Sequence, residues 1–208
     1  MNVGDLVFCD SFTCVDVDVD RYTVPPGPAK LDEATILMVA EVPPEDFRDW
    51  FYAGDDALYA RTTVQAFRDA GEDVGSIQDV LDLGVYLTTA VKCGKNDYAI
   101  STETIRTCSA LLEAELGLFP LAEVLMLMGD TAITAVNAIA KRNGEPRVIP
   151  SGATYKLRGG DYRFRGMKVF PSYVHAGPAF FIEQSKRRMI AEDIASALAY
   201  VRGGNEAA

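Results

Sequence analysis

Four cysteines and one histidine hold much of the chemistry available to this 208-residue sequence. The cysteines fall in two distant pairs, Cys9-x4-Cys14 and Cys93-x14-Cys108. Four are too few for a disulfide-dense secreted scaffold. In a reducing compartment, clustered thiols are metal ligands or core residues rather than disulfides. His175 is the only imidazole. A lone histidine after a strand is more often structural than catalytic, so its meaning depends on what the fold sets beside it.

The elements that would position these groups can be read from hydrophobic spacing. Thr35–Val42 is an apolar β-type run ending at Pro43-Pro44, as a buried parallel strand does. Val85–Val91, Val124–Met128 and Lys168–Val174 are three more. Helical spacing marks 57–70, stopped by Gly71, and a short helix marks Ser76–Leu83. Ser101–Leu116, capped by Ser101 or Thr102, carries Ile105, Cys108, Leu112 and Leu116 on one face. Thr131–Lys141 and a long amphipathic Glu183–Val201 complete the helices. Tyr155–Arg165 reads as a hairpin turning at Gly159-Gly160-Asp161. Residues 1–34, with Pro25-Pro26-Gly27-Pro28, read as an irregular arm carrying two cysteines.

Strands alternating with helices mean an α/β fold with a mostly parallel sheet and helices on both faces. In such sheets the working residues lie just past the strand C-termini. That rule selects Glu41–Phe51, Thr88–Cys93, Gly129–Thr131 and Ser172–Gly177, and His175 is in the last.

Composition narrows the function classes. With 49% apolar and 24% charged residues the chain is neither disordered nor collagenous. Its length suits one domain, 1–208. The longest pure apolar runs, Ile36–Ala40 and Val124–Met128, fall far short of the roughly 20 residues a membrane span needs. The N-terminus has no secretory pattern, so a cytoplasmic location is expected, without membrane contact. The net charge of −10 is uneven. Residues 1–100 hold 19 acids and 7 bases, whereas residues 141–188 hold 11 bases and 3 acids. A phosphate-binding face needs such a local positive field, although a solvated mixed surface would look the same. P-loop and G-x-G-x-x-G motifs are absent, which counts against nucleotide-binding readings.

The order of the strand-end segments resembles the uracil-DNA glycosylase superfamily, most closely its iron–sulfur, family-4 type. The first motif, G-E-A-P-G in that family, is similar to Ala40-Glu41-Val42-Pro43-Pro44. Phe51-Tyr52-Ala53-Gly54 follows where the family has Phe-Val-Gly. The strand V-Y-I-T-N-V-V-K-C corresponds to Val85-Tyr86-Leu87-Thr88-Thr89-Ala90-Val91-Lys92-Cys93. A helix with Glu103 and Cys108, the segment Met126 to Ala132, and His175-Ala176-Gly177 in place of H-P-S complete the series. The resemblance covers about residues 5–203.

The resemblance implies a three-layer α/β/α fold around a mostly parallel four-stranded sheet, with DNA crossing the strand C-termini. It implies a monofunctional DNA glycosylase of base excision repair, acting as a monomer on a base extruded from the strand. Glu41 and His175 would be catalytic. The carboxylate would place a water beside an oxocarbenium-like sugar, and the imidazole, neutral, would donate to the departing base. Ala40, Val42, Phe51 and Thr89 would line the base site, Phe51 by stacking. Cys9, Cys14, Cys93 and Cys108 would hold a structural [4Fe–4S] cluster. Zinc and unliganded buried thiols remain alternatives. Lys156, Arg158, Lys186, Arg187 and Arg188 would contact phosphates, and Phe180 or Phe181 would wedge into the strand.

At Thr89 the family has an Asn that reads the uracil edge with two hydrogen bonds. A hydroxyl cannot reproduce that paired pattern, which leaves the excised base open among uracil and related deaminated bases. Gly94-Lys95-Asn96-Asp97 stands where the family has an Arg/Pro/Asn-rich stretch. Two other readings compete. One is a diverged iron–sulfur nucleic-acid-binding protein of the same fold with little or no glycosylase activity. The other is an α/β protein binding a small phosphorylated ligand at the strand ends.

Overall fold

The computed structural model describes residues 3–25, 31–96 and 99–205. Pro26, Gly27 and Pro28 of the arm, and Asp97, lie outside the described residues. Four apolar runs form the parallel strands: β1 (Ile36–Ala40), β2 (Val85–Thr89), β3 (Val124–Met128) and, after an antiparallel strand β4 (Tyr162–Phe164), β5 (Met167–Ser172). The sheet order is β2-β1-β3-β5-β4. The sheet therefore has five strands rather than the four expected.

The fifth strand arises because the hairpin turns later than the Gly-Gly-Asp signal suggests. Thr154–Leu157 is a helical turn. The reversal falls at Arg165-Gly166, where Phe164 pairs with Met167. Both turn residues have positive φ, 49° and 88°, the requirement of a tight two-residue hairpin turn. An Arg-Gly pair gives a weaker signal for such a turn than Asn-Gly.

Every residue of β1, β2 and β3 is buried, as expected when helices cover both faces. Alternation divides the side chains between two layers. Leu37, Val39, Leu125 and Leu127 face α3 (Thr102–Leu116) and α4 (Asp130–Arg142). Ile36, Met38, Val124 and Met126 face α1 (Leu58–Asp69), α2 (Ile77–Asp82) and α5 (Gln184–Asn205). This is the expected three-layer α/β/α arrangement. Capping fixes two helix starts: Ser76 and Asp79 form a capping box on α2, and Ser101 accepts from the Thr104 N–H on α3.

The register decides where the site can be. Ala40 pairs with Thr89, and Met128 pairs with Ser172. The C-terminal ends of the parallel strands thus lie side by side, so the residues that follow them are brought together. The arm is less irregular than its sequence suggests. It has a helical turn at Val3–Leu6, and Val17–Asp18 pairs antiparallel with Gly94–Lys95 just beyond β2. Among the described residues, no helix is long and apolar enough to cross a membrane.

Candidate active site

A cleft of about 1290 Å³ opens at the strand C-termini. Its walls come from the segment after β1 (Ala40 to Asp49), the loop after β5 (Val174, Ala176 to Pro178), Tyr59 of α1, and Arg21 of the arm. Acids dominate the lining: Glu41, Glu45, Asp46 and Asp49 face Arg21 and Lys95.

Glu41 follows β1 directly, and one of its oxygens accepts the Thr131 N–H at 3.1 Å. That contact satisfies one of the free N–H groups in the first turn of α4. The close approach requires Gly129. Its φ is 114°, and a Cβ there would stand 2.7 Å from Glu41 Oε1 and 2.7 Å from a Val174 methyl. The backbone between β1 and β2 is fixed as well, with Ala90 N–H donating to the Ala40 carbonyl at 2.8 Å and Val91 N–H to that of Glu41 at 3.1 Å.

His175 lies behind the cleft wall, between the lining residues Val174 and Ala176, and is fully buried. Its ring is nearly parallel to that of Phe51, at 16° and 5.8 Å between centroids. Phe51 is also fully buried and is packed by Trp50 and Tyr59. Thr89 is buried at the end of β2. Among the described residues, the buried side-chain polar atoms without a partner are Trp50 Nε1, Thr89 Oγ1 and both nitrogens of His175. All belong to segments that follow or end a parallel strand. Buried polar atoms are normally paired, so unpartnered ones ask for a ligand, a water or another role.

Burial lowers the His175 pKa to about 3 from 6.5, so the imidazole is neutral at physiological pH. The unfolded chain takes up a proton near pH 6.5 that the folded chain refuses. The stability tied to this group is complete above about pH 6.5 and falls by up to about 1.4 kcal/mol per pH unit below it, until the folded pKa is reached. Urea denaturation between about pH 7 and about pH 5 is expected to show this loss, and His175→Gln is expected to lose that part of the slope.

The four cysteines converge. Cys9 and Cys14 of the arm, Cys93 beyond β2 and Cys108 of α3 all line one cavity of about 180 Å³. Cys93 and Cys108 are buried, and Cys9 and Cys14 are half-buried. Burial pushes the Cys93 thiol up to about 12 and the Cys108 thiol up to about 11. Both therefore keep their protons at neutral pH. Among the described residues, no three Cys, His, Asp or Glu side chains are gathered tightly enough for a single metal ion. Four thiols nonetheless surround a common space, which Asp10, Ser11, Thr104 and Thr107 also line. The arm is held over it by the Thr23 N–H, which donates to the Lys92 carbonyl at 2.7 Å, and by Asp16, which accepts from the Ser101 N–H at 2.7 Å at the start of α3.

The side chains expected to contact DNA differ in exposure and in their partners. Arg158 turns inward: its Nε donates to both oxygens of Asp193 at 2.9–3.0 Å and its Nη2 to Glu192. Arg187 is paired with Asp69 and ties α5 to α1. Phe180 is buried in the core and does not project, whereas Phe181 and Ile182 are exposed. Lys156 is exposed, Lys186 pairs with Glu183 at 2.7 Å, and Arg188 is exposed with a loose 3.9 Å contact to Glu192.

No sequence signal pointed to Arg21. It anchors in the cleft wall through Asp18, the Glu45 carbonyl and the Lys95 carbonyl, and no arm motif marks it. Tyr59 had only a helical apolar spacing, and Trp50 only its position before Phe51. Lys92 was a letter in a strand motif, yet it is fully buried.

The fold and the position of the cleft define an α/β/α protein with its site at the C-terminal edge of a parallel sheet. No family model matches the chain. A 77-residue stretch is 36% identical to the type-5 uracil-DNA glycosylase of Thermus thermophilus. The match covers 37% of this chain and 35% of that protein, so it spans about a third of each.

Proposed function

We propose that this chain is a DNA glycosylase that hydrolyses the N-glycosidic bond of uracil or a related deaminated base. The carrying observation is a carboxylate, Glu41, in the cleft lining, with a buried imidazole that has no partner, His175, directly behind that wall between the lining residues Val174 and Ala176. The similarity to a uracil-DNA glycosylase supports the same class.

The reaction needs three things from the protein. An extruded base needs an apolar face, and in the cleft lining that face is Tyr59, which packs on the buried ring of Phe51. Charge develops on the base as the C1′–N bond lengthens, and a neutral His175 N–H can stabilise it without first giving up a proton. The sugar becomes cationic, and Glu41, with one oxygen held by Thr131, has a second oxygen free to place water at C1′. The water oxygen bonds to C1′ and its proton passes to Glu41, the bond to the base nitrogen breaks, and the base leaves with its electron pair. Thr89 Oγ1 is the polar group at the base edge in this reading, and one hydroxyl is consistent with a preference broader than uracil.

The thiol cavity fits a [4Fe–4S] cluster in donor chemistry, four thiols around a shared space. Bound, it would tie the arm to the sheet and take no part in hydrolysis, and Cys9, Cys14, Cys93 and Cys108 would hold it. A single zinc draws four sulfurs to about 2.3 Å of one point, a tighter gathering than the described side chains make. With the cleft lined by acids, phosphate attraction would fall to exposed bases away from it, such as Lys156 and Arg188.

The test is a panel of oligonucleotides carrying uracil, hypoxanthine, xanthine or an oxidised pyrimidine, each incubated with purified protein and then treated with alkali. Strand scission at one or more of the deaminated bases is expected, together with a brown colour and absorbance near 400 nm. Tight, salt-sensitive DNA binding with no scission on any member would favour the nucleic-acid-binding alternative.

A further inference from the structure

Lys92 and Glu115 form an ion pair in which neither side chain has any exposed surface. A pair so buried is seldom worth more than well-packed apolar residues, so its position calls for a reason. The Lys92 ammonium has three donors, and all are used: on the Thr88 hydroxyl at 2.8 Å, the Thr89 carbonyl at 2.5 Å and Glu115. Glu115 also accepts from the Tyr86 and Thr88 hydroxyls, each at 2.7 Å. The side chain of Lys92 thus folds back over the end of β2 and locks it to α3.

The backbone of the same turn reaches two sites at once. The N–H groups of three successive residues donate in turn to the Ala40 carbonyl, the Glu41 carbonyl and Cys108 Sγ, the last at 3.2 Å. The Lys92 carbonyl accepts from Thr23 of the arm at 2.7 Å. Cys93 comes next in the chain. On α3, Cys108 and Glu115 are seven residues apart and so share a face of the helix. One short segment therefore joins the strand end bearing Glu41, the buried Thr89 and the cavity bearing the cysteines.

The geometry points to Lys92 as a positioning residue that couples the thiol cavity to the active-site cleft, a role that rests on the proposed reading of both. It touches no substrate. It holds the 88–93 turn in the shape that keeps Thr89 paired with Ala40 of the cleft wall and Cys108 at the cavity, so a change in cavity occupancy is felt at Glu41 and Thr89.

The experiment removes the pair together, as Lys92→Met/Glu115→Gln, in the purified full-length protein, so that no lone buried charge remains. Amide exchange is followed by mass spectrometry, and loss of iron to a chelator by absorbance near 400 nm. Faster exchange confined to peptides covering 88–93 and 38–44 is expected, with unchanged exchange in α5. Iron release about tenfold faster or more is expected, the usual effect of losing a group that orients a metal ligand. Thr88→Val, which removes one anchor and no charge, should shift both readouts the same way to a smaller extent. Wild-type exchange in both stretches would overturn the assignment, and so would loss of protection spread evenly over the chain. Neither readout depends on excision. A wild-type protein that cleaves no base but passes this test would sink the glycosylase reading and leave the coupling standing.

Discussion

Replacing His175 by alanine is expected to slow base excision by about 100- to 1,000-fold in single-turnover assays, the loss seen when one donor to a developing anion is removed, about 2.7–4 kcal/mol. The reason lies in how the imidazole is buried. Both ring nitrogens lack a protein partner, and no side chain competes for the proton of whichever nitrogen carries it. The donor is therefore already desolvated, at no further cost when charge appears on the base. Because burial holds its pKa near 3, the rate should show no limb near pH 6.5 attributable to this residue. His175→Gln keeps an N–H of similar reach and should recover part of the rate, which separates the donor from the space it fills. An alanine variant with the full wild-type rate and an unchanged melting temperature would exclude His175 from the reaction.

The fold was legible because apolar strands announce themselves. Val124–Met128 appears in the structure with the bounds read from hydropathy alone, and the run read as Thr35–Val42 forms a strand over Ile36–Ala40. Parallel strands buried on both faces leave little room for polar residues, so the pattern is dense. The edge strand was harder. Tyr162–Phe164 is three residues long with only Phe164 buried, and its turn uses Arg165 at positive φ, which no propensity favours. The hairpin was expected, but its position was not.

The site divides in the same way. Residues at strand ends, such as Glu41, Thr89 and His175, could be placed by topology, since register alone aligns them. The phosphate contacts could not be. A run such as Lys186–Arg188 gives charge but not direction, and direction is set by tertiary partners. Arg187 meets Asp69, which is 118 residues earlier in the chain. Arg158 meets Asp193, which also accepts from the Ser172 hydroxyl at the end of β5. These arginines hold α5 against the sheet and α1, a use of positive charge that linear spacing does not distinguish from DNA binding. The thiol cavity depended on the arm, whose path over Cys93 and Cys108 is fixed by single contacts such as those of Arg21 with the Lys95 carbonyl and Thr23 with the Lys92 carbonyl.

The second large effect concerns Glu41, which has two jobs that one substitution can separate. One oxygen receives the Thr131 N–H at the start of α4, a structural contact worth about 1 kcal/mol by analogy with helix caps. The other oxygen is the one available to a water at the sugar. Glu41→Gln retains an acceptor for Thr131 and the volume beside Gly129, but it abolishes the charge that would stabilise an oxocarbenium-like sugar and draw a proton from water. Excision by Glu41→Gln is therefore expected to fall about 100- to 10,000-fold, the range for losing a general base, with little change in melting temperature. Glu41→Ala should lose both functions, matching that rate loss and also melting lower. If the glutamine variant excised at the wild-type rate while the alanine variant was only less stable, Glu41 would be a helix cap alone. The water would then need another carboxylate of the cleft lining, and with Asp46 bound to Arg48 at 2.6 Å and Asp49 accepting the Leu58 N–H at 3.2 Å, Glu45 would be the next to replace.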